Sequence, residues 1–370
     1  MKICIIANPN SAHTHRWTNY FVKHGHDVHL IGEHPAFRDP SPGVIFYNLC
    51  GTTNIKKYRY LRWGIETRRI IHQLQPDVLH SLGAVSAGWL GRYSGYHPHI
   101  VTVMGSDINL LGTRSALFRT LTLSTLRHAD YVICLSNELS KMVLSYGISP
   151  QRCEVVYLGI DLNIFRPEED STIIRAKLGL DHSPLVLSIR AMNWIYNPLD
   201  IANAIPKVLQ KSPRTKFAIF TYNQDKKLFS QFNQIIDRSG AMHAVTYVKP
   251  LDDDSIIADY YRAADVAISV PKSDGTPSTV LECLACGTPV VLSDLPTLHD
   301  WVENEKECLF VQTGDVKAIS DAIIQLIENT TLRKDMGGQA VTTMEKRADQ
   351  NLWMQRSEDI YYQLAGNTSS

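Results

Sequence analysis

The chain has 370 residues, and its 37 lysines and arginines balance its 37 aspartates and glutamates, so the formal net charge is zero. This length predicts about two domains, each with its own core, and the neutral charge argues against a nucleic-acid partner. No apolar run approaches the roughly 20 residues of a membrane-spanning helix. The apolar start, MKICIIANPN, is too short for a secretory signal and is predicted to form a first strand.

The first half of the chain alternates short apolar runs with helical stretches. Strands are predicted at Ile3–Ala7, Val28–Ile31, Val44–Tyr47, Val78–His80, Ile100–Val103 and Tyr131–Cys134. Helices are predicted between them, for example at Trp17–His24, Tyr60–Leu74 and Ser115–Arg127. Because the strands are almost continuously apolar, we expect a doubly wound parallel sheet that helices cover on both faces.

The alternation breaks at residues 161–182, a polar stretch that contains proline and aspartate. A second series follows, with strands predicted at Val186–Ile189, Phe217–Phe220, Val245–Val248, Val266–Val270, Val290–Leu292 and Leu309–Val311. We therefore expect a first domain over residues 1–165, a linker over 166–182 and a second domain over 183–349. A C-terminal helix at about 350–366 should pack back on the first domain, and a ligand should bind where the carboxyl ends of both sheets face a cleft.

The stretch Pro271–Pro289, PKSDGTPSTVLECLACGTP, has the most distinctive chemistry. It follows a predicted strand and contains a Gly/Pro/Ser/Thr loop, a short helix from Ser278 and a terminating Gly287. The free N–H groups at the start of such a helix favour an anion. Two carboxylates, Asp274 and Glu282, can reach the same pocket, which suits a ligand with both phosphate and diol groups.

With this stretch, the chain resembles the retaining nucleotide-sugar glycosyltransferases of the GT-B fold, glycosyltransferase family four, also called glycosyl transferases group one. The strongest match is SDGTPSTVLECLACGTPVV, which is similar to the acidic-x7-acidic signature of the family and the strand after it. Other motifs occur in the order and spacing of the family: GHDV, PDVLH, MGSDI, ADYVICLS, LGIDLNIFRP, SIRAMNWIYNP and YYRAADVAISV.

The resemblance implies a role for individual residues of the second domain. Glu282 would accept hydrogen bonds from the ribose hydroxyls, Asp274 would contact the transferred sugar, and Val248–Pro250 would flank the base. Arg190 would bind the diphosphate, which suits its charge; a structural ion pair is the alternative. Together Arg190, Asp274 and Glu282 are the implied catalytic groups. The donor sugar and diphosphate would lie against the backbone of Gly275, Thr276, Pro277, Ser278 and Thr279.

The chain also departs from the pattern of the family. Asp274 stands where the family usually has glutamate, and Tyr196 stands where it commonly has a lysine, for which Lys272 is a candidate substitute. Met104 replaces a histidine, and NSAHTHRW (Asn10–Trp17) replaces a glycine-rich loop, which brings His13 or His15 near the cleft. On the acceptor side we expect His13, Ser106 and Asp107, where Asp107 either caps the helix that follows or contacts the acceptor.

No cofactor and no metal ion are expected. Asp252–Asp254 invites a metal hypothesis, but acidic residues at a helix start also complement the helix dipole. Histidines 13, 15, 24, 26 and 29 invite another metal hypothesis, but His24–His29 straddles a helix end, a glycine turn and a strand, so the side chains should diverge. Cys283 and Cys286 form a CxxC on a helix without a second pair, which favours packing over a zinc or redox role.

The segment Lys56–Arg69, KKYRYLRWGIETRR, interleaves basic and aromatic residues. It is either a solvated helix face or a surface for peripheral contact with an anionic membrane. The odd number of cysteines, seven, and their scatter through apolar segments favour reduced thiols in the cytoplasm. The expected location is therefore cytoplasmic, with peripheral contact at the inner face of the membrane as the alternative.

These patterns and the resemblance predict a retaining hexosyltransferase. It would move a hexose-type sugar from a nucleoside diphosphate, with UDP favoured, to a hydroxyl of a glycan or lipid-linked acceptor in polysaccharide or glycolipid assembly. One alternative is a GT-B nucleotide-sugar epimerase, which would convert the donor without an acceptor. The other is a catalytically degenerate regulator that only binds nucleotide sugar, an alternative suggested by Met104 and Tyr196.

Overall fold

The computed structural model describes residues 1–34, 36, 40–49, 59–109, 115–168, 172–251, 253–274 and 277–367. The chain forms two compact units. The first comprises Met1–Leu158 together with Asn351–Ser370, and the second comprises Gly159–Gln350. The second unit thus begins a few residues before the end of the predicted first domain, and the segment predicted as a linker contains a short helix, Thr172–Lys177.

Within the described residues, the first unit has a seven-stranded parallel sheet in the order β3-β2-β1-β4-β5-β6-β7. Its strands are Lys2–Ala7 (β1), Asp27–Gly32 (β2), Val44–Asn48 (β3), Val78–Leu82 (β4), His99–Val103 (β5), Tyr131–Cys134 (β6) and Cys153–Val155 (β7). Its helices are Ala12–Lys23 (α1), Arg59–Leu74 (α2), Ser86–Ser94 (α3), Ser106–Asn109 (α4), Ala116–His128 (α5) and Asn137–Ser145 (α6).

Strand β1 shows why this sheet is covered on both faces. Ile3 and Ile5 pack into one core cluster, while Cys4 and Ile6 pack into another on the opposite face. A strand that is buried on both sides needs an unbroken apolar run, and KICIIA supplies one.

The second unit repeats this architecture. Within the described residues its sheet has six parallel strands in the order β10-β9-β8-β11-β12-β13. They are Leu185–Ser188 (β8), Lys216–Phe220 (β9), Val245–Val248 (β10), Val266–Ser269 (β11), Val290–Ser293 (β12) and Cys308–Val311 (β13). The helices are Thr172–Lys177 (α7), Pro198–Lys211 (α8), Lys226–Arg238 (α9), Asp254–Ala263 (α10), Ser278–Ala285 (α11), Val316–Glu328 (α12) and Thr330–Arg347 (α13). The predicted class, two doubly wound parallel α/β units, is confirmed.

The last helix, Gln350–Asn367 (α14), packs mainly in the first unit. The ring of Tyr361 stacks on Phe21 at 4.8 Å, and its hydroxyl hydrogen-bonds to His80 Nδ1. Arg356 forms a two-pronged ion pair with Glu154, at 2.6 and 2.7 Å. Aromatic packing and paired charges therefore hold this helix against the sheet.

The structure differs from the sequence predictions at two elements. The stretch Asn10–Trp17, expected as a loop, is helical from Ala12, and the Thr14 hydroxyl donates to the carbonyl of Asn8 to stabilise its start. Strand β7 was not predicted, because the short edge sequence CEV is only half buried and lacks an apolar run. In the described part of the chain, no helix has the length and hydropathy needed to cross a membrane.

Candidate functional site

The topology of the second unit brings two loops together at one point. Strands β8 and β11 are neighbours, although β9 and β10 separate them in the chain. The strand order reverses between β8 and β11, and ligands of doubly wound sheets bind at such switch points, beyond the carboxyl ends of the strands. Arg190 follows β8 and Asp274 follows β11, so these two side chains converge there.

Arg190 is held from three sides. Its Nη2 lies 2.8 Å from Asp274 Oδ2, and its Nη1 donates to the Thr279 hydroxyl at 2.8 Å. The guanidinium carbon lies 4.3 Å from the centre of the Tyr196 ring. The side chains of Arg190 and Asp274 are only 8% and 10% exposed. Asp274, Thr279 and Tyr196 thus fix the orientation of the guanidinium.

The charge of Arg190 is also stabilised. Burial by itself would lower the pKa of this guanidinium, but the Asp274 carboxylate and two nearby tyrosine hydroxyls raise the pKa above its ordinary value. The ion pair and the proposed phosphate contact are therefore compatible, because Arg190 remains cationic and lies at the ligand-binding edge of the sheet.

Helix α11 directs its N-terminus to the same place. Its N-cap residue, Pro277, makes no side-chain capping hydrogen bond, and the buried Ser278 hydroxyl has no hydrogen-bond partner among the described residues. Uncapped N–H groups carry the positive end of the helix dipole. Together with Arg190 they form a site suited to an anion.

Glu282 lies one turn into α11 and is 6% exposed. Tyr222, which follows β9, lies close to both Glu282 and Arg190: burial raises the pKa of Tyr222 to about 12, Arg190 opposes the rise and Glu282 adds to it. The Tyr222 hydroxyl donates to the carbonyl of Ile189 at 2.7 Å. The sequence analysis missed Tyr222, whose only signal was its position just after a strand.

Lys272, which also follows β11, is exposed and contacts the turn that carries Tyr196. Its Nζ is 5.5 Å from the centre of the Trp194 ring, and its backbone N–H donates to the carbonyl of Ile195 at 2.8 Å. Asn197, in the left-handed region at φ 49°, donates from its side chain to the carbonyl of Val270. These bonds fasten the β8–α8 loop to the end of β11 and hold Tyr196 over Arg190.

Part of Val248–Pro250, the segment predicted to flank the base, forms hydrogen bonds within the second unit. The carbonyl of Val248 accepts hydrogen bonds from the backbone N–H and the hydroxyl of Thr221, at 3.0 and 2.9 Å. A base would therefore have to use other backbone groups of Val248–Pro250. Gly275 and Thr276, also predicted to bind the donor, lie outside the described residues.

In the first unit, the Asp107 carboxylate connects two loops. Its carboxylate accepts from the backbone N–H groups of Ala84, Met104 and Gly105 at 2.8–3.2 Å. Burial raises its pKa, while these bonds partly offset the rise. Asp107 thus ties the loop after β4 to the loop after β5, which favours a structural role over acceptor contact. Ser106 begins α4, and its side chain is outside the described part.

His13 and Glu33 lie after β1 and at the end of β2. The Nδ1 of His13 is buried without a hydrogen-bond partner among the described residues, and burial, with help from Arg16, lowers its pKa to about 4. Glu33, which the sequence analysis did not single out, accepts from the Ser86 hydroxyl at 2.8 Å, and burial raises its pKa. These two residues place polar groups at the carboxyl edge of the first sheet.

The structure shows the surroundings of the two candidate metal-binding motifs, Asp252–Asp254 and the Cys283–Cys286 pair. Asp253 caps α10 by accepting from the N–H of Ser255, whereas Asp252 lies outside the described residues. Cys283 and Cys286 are both buried. Among the residues with described positions, no group of three His, Cys, Asp or Glu side chains could hold a metal ion.

The described residues form two doubly wound units, and Arg190 and the start of α11 lie at the switch point of the second. Two family models match consecutive parts of the chain: Glycosyltransferase Family 4 at residues 11–164 and Glycosyl transferases group 1 at residues 170–342. The chain belongs to this glycosyltransferase family.

Individual relatives are more distant. A D-inositol 3-phosphate glycosyltransferase of Catenulispora acidiphila is 28% identical over 288 residues, which are 76% of this chain and 61% of that protein. Matches to others with that name, from Kribbella flavida and Rhodococcus erythropolis, span 49% and 45% of their lengths. The chain thus spans about half to three fifths of these relatives.

Solved structures share the fold over nearly the whole chain. Sucrose-phosphate synthase from Thermosynechococcus elongatus has a TM-score of 0.84 at 17% identity, covering 99% of both chains. Anabaena HepE in complex with UDP-glucose has a TM-score of 0.83 at 16% identity, covering 98% of this chain and 100% of that one.

Proposed function

We propose that this protein transfers a hexose-type sugar from a nucleoside diphosphate donor to a hydroxyl of an acceptor, with retention at the anomeric carbon. The observation that carries the proposal is the fixation of Arg190 by Asp274 and Thr279 at the uncapped start of α11. UDP is the favoured nucleotide, since HepE, which shares the fold, was solved with UDP-glucose. The favoured acceptor is a glycan or a lipid-linked sugar in the cytoplasm, during polysaccharide or glycolipid assembly.

The proposed mechanism begins with the leaving group. As the bond between sugar and diphosphate breaks, negative charge grows on the diphosphate, and the Arg190 guanidinium and the α11 amides stabilise that charge. Asp274, Thr279 and Tyr196 hold the guanidinium in place, so little reorganisation is needed during the reaction.

Retention follows in this proposal from attack on the face that the diphosphate leaves. Asp274 is the carboxylate nearest to Arg190, and its pairing at 2.8 Å makes it a poor nucleophile. The acceptor oxygen forms the new bond to the anomeric carbon as the old one breaks, and the leaving diphosphate takes the acceptor proton. Glu282 orients the donor through the ribose hydroxyls.

The role of Glu282 can be tested by pairing a variant with an altered donor. Losing hydrogen bonds to a charged group costs about 1.5–3 kcal/mol, so Glu282→Gln should lower kcat/KM for the UDP-sugar about 10- to 150-fold. The wild type should discriminate against a donor without the ribose 2′- and 3′-hydroxyls by a similar factor, and the variant should not. Equal discrimination by both proteins would show that Glu282 does not contact the ribose.

The reaction itself is tested by screening UDP-, GDP- and ADP-sugars for thermal stabilisation, then assaying the binders with a panel of acceptors. Transfer or slow donor hydrolysis that is lost in Arg190→Ala is the expected result. Tight binding without turnover would favour a regulator. An isomerised donor in the absence of acceptor would favour an epimerase.

We further propose that charge stabilisation needs no metal ion. Activity measured with EDTA should equal activity measured without it. A loss with EDTA that Mg²⁺ or Mn²⁺ restores would contradict this part of the proposal.

A further inference from the structure

A groove with a volume of about 620 Å³ runs between α2, α3 and α5 of the first unit. Its walls are mainly aromatic and aliphatic: Tyr60, Leu61, Trp89, Tyr93 and Leu121. Two glycines allow the helices to come this close. A Cβ on Gly64 would lie 2.8 Å from the Tyr93 ring, and one on Gly88 would lie 2.9 Å from a Thr125 methyl. The groove is thus built by close helix packing.

The surface around this groove exposes an unusual amount of apolar side chain. Leu117 is 70% exposed and Leu61 is 55% exposed. On α2 the apolar residues Leu61 and Ile65 are one turn apart, and on α5 Leu117 and Leu121 repeat the spacing. Side chains four residues apart lie on the same helix face. The two helices therefore present continuous apolar ridges, which mark an interaction surface.

The charged side chains of these three helices are mainly positive. There are four arginines on α2, one on α3 and two on α5, against a single acidic residue in the three helices, Glu66. Glu66 is itself paired with Arg69. The surface therefore selects a partner that is anionic as well as apolar.

Aromatic and cationic groups are interleaved as they are in proteins that lie at a lipid interface. The Arg59 guanidinium lies 4.9 Å from the Trp63 ring centre and 5.8 Å from that of Tyr60. Within the groove lining, the Trp89 indole N–H and the Arg92 Nε are buried without a hydrogen-bond partner among the described residues. Tyr and Trp favour the boundary between hydrocarbon and water, and arginine reaches from it to phosphate.

We propose that the α2–α3–α5 surface docks on an anionic phospholipid bilayer. The apolar ridges and the groove would take up acyl chains, while the arginines would contact lipid phosphates. This assignment differs from the sequence hypothesis for Lys56–Arg69, because it includes α3 and α5 and leaves out the undescribed residues before Arg59. It does not depend on the proposed transfer reaction, since Arg190 and Glu282 belong to the second unit.

Flotation of the full chain with lipid vesicles tests the proposal. We expect binding to phosphatidylcholine vesicles that contain phosphatidylglycerol, and little binding to phosphatidylcholine alone. Raising the salt from about 0.1 M to about 1 M shortens the Debye length from about 10 Å to about 3 Å and should weaken binding. Binding to neither vesicle, or equally to both, would overturn the proposal.

Matched variants distinguish binding through this surface from nonspecific hydrophobic binding to vesicles. Leu61→Gln with Leu117→Gln should weaken vesicle binding about tenfold or more. The control, Leu352→Gln with Ile173→Gln, alters side chains of equal exposure, 55% and 69%, outside this surface and should bind as the wild type does. Equal loss in both pairs would contradict the assignment.

The arginines are tested in the same way. Arg62→Gln with Arg119→Gln should weaken vesicle binding about fivefold for each residue. The control, Arg214→Gln with Arg238→Gln, removes the same charge from the second unit and should have little effect on vesicle binding. Glu282→Gln should slow transfer and keep vesicle binding, so the two proposals can fail separately. A concentration-dependent dimer that Leu61→Gln with Leu117→Gln abolishes, without vesicle binding, would identify the surface as a self-association interface instead.

Discussion

The guanidinium carbon of Arg190 lies 4.3 Å from the centre of the Tyr196 ring. The ring of Tyr196 thus helps to position the cation at the ligand-binding edge of the second sheet. Such a contact contributes about 0.5–2 kcal/mol.

Removing the ring should therefore weaken donor binding. Tyr196→Ala is expected to raise the Kd for UDP about 2- to 30-fold in isothermal titration calorimetry. Tyr196→Phe retains the ring and should bind nearly as the wild type does. If the two variants lose affinity equally, the hydroxyl and not the ring face positions Arg190.

Asp274 pairs with Arg190, so a diphosphate must compete with it for the guanidinium. Asp274→Asn leaves a nearly buried cation uncompensated, a change that costs up to about 3–5 kcal/mol. Thermal unfolding should show a lower Tm, and UDP should raise the Tm of the variant more than that of the wild type, because its phosphates replace the lost charge.

The same variant should separate binding from transfer. Asp274→Asn should bind UDP at least as tightly as the wild type, yet transfer sugar more slowly, because the proposed sugar contact is weakened. A variant that loses affinity for UDP and for the UDP-sugar by the same factor would contradict competition for Arg190.

Adjacent glycines in α13 predict opposite effects on stability. A Cβ on Gly337 would lie 2.3 Å from the carbonyl oxygen of Gly287, which terminates α11, whereas a Cβ on Gly338 would meet nothing within 4 Å. Gly337→Ala should therefore lower the unfolding free energy by about 1–3 kcal/mol through overpacking. Gly338→Ala should raise it by about 0.5–1 kcal/mol through helix propensity. Urea titration measures both, and equal effects would show that α13 does not pack on Gly287 this closely.

His99 predicts a pH dependence of stability. It is buried against the Ser81 hydroxyl at 2.9 Å, and burial lowers its pKa to about 4, from about 6.5 in an unfolded chain. Between these values the unfolded state binds a proton that the native state excludes. The contribution of His99 to the unfolding free energy is thus fully present above pH 6.5. Between pH 6.5 and pH 4 the unfolding free energy falls by about 1.4 kcal/mol for each pH unit.

The variant His99→Asn should remove that contribution from the pH slope. Urea titrations at pH 5, 5.5 and 6 should show a slope smaller by about 1.4 kcal/mol per unit. Ser81→Ala removes the hydrogen bond and retains the histidine, so it should lower stability with the slope unchanged. Equal slopes in the wild type and His99→Asn would mean that His99 is protonated in the native state.

The sequence predicted the proximity of Arg190 and Asp274 in the second unit, but not the contact of Asp107 with Ala84 in the first. Arg190, Asp274 and Glu282 occupy motif positions next to strands and a helix start, where local pattern constrains the backbone. No local pattern constrains Asp107. From the sequence it is a candidate helix cap or acceptor ligand in its own loop. In the structure its carboxylate accepts from the N–H of Ala84, which lies in the loop after the neighbouring strand β4. Glu33 and Tyr222 were missed because their importance depends on neighbours that are distant in the chain.

The sequence by itself determined the alternation of strands and helices apart from β7, the division into two α/β units and the short helix that ends just before Gly287. These follow from apolar periodicity and turn chemistry, which act over a few residues. Only the tertiary structure decided that Asp274 and Thr279 both bind Arg190, that Tyr196 stacks on it, and that α2, α3 and α5 share an apolar, arginine-rich surface. Those relationships depend on which strands and helices become neighbours, and that is settled by packing of the whole chain.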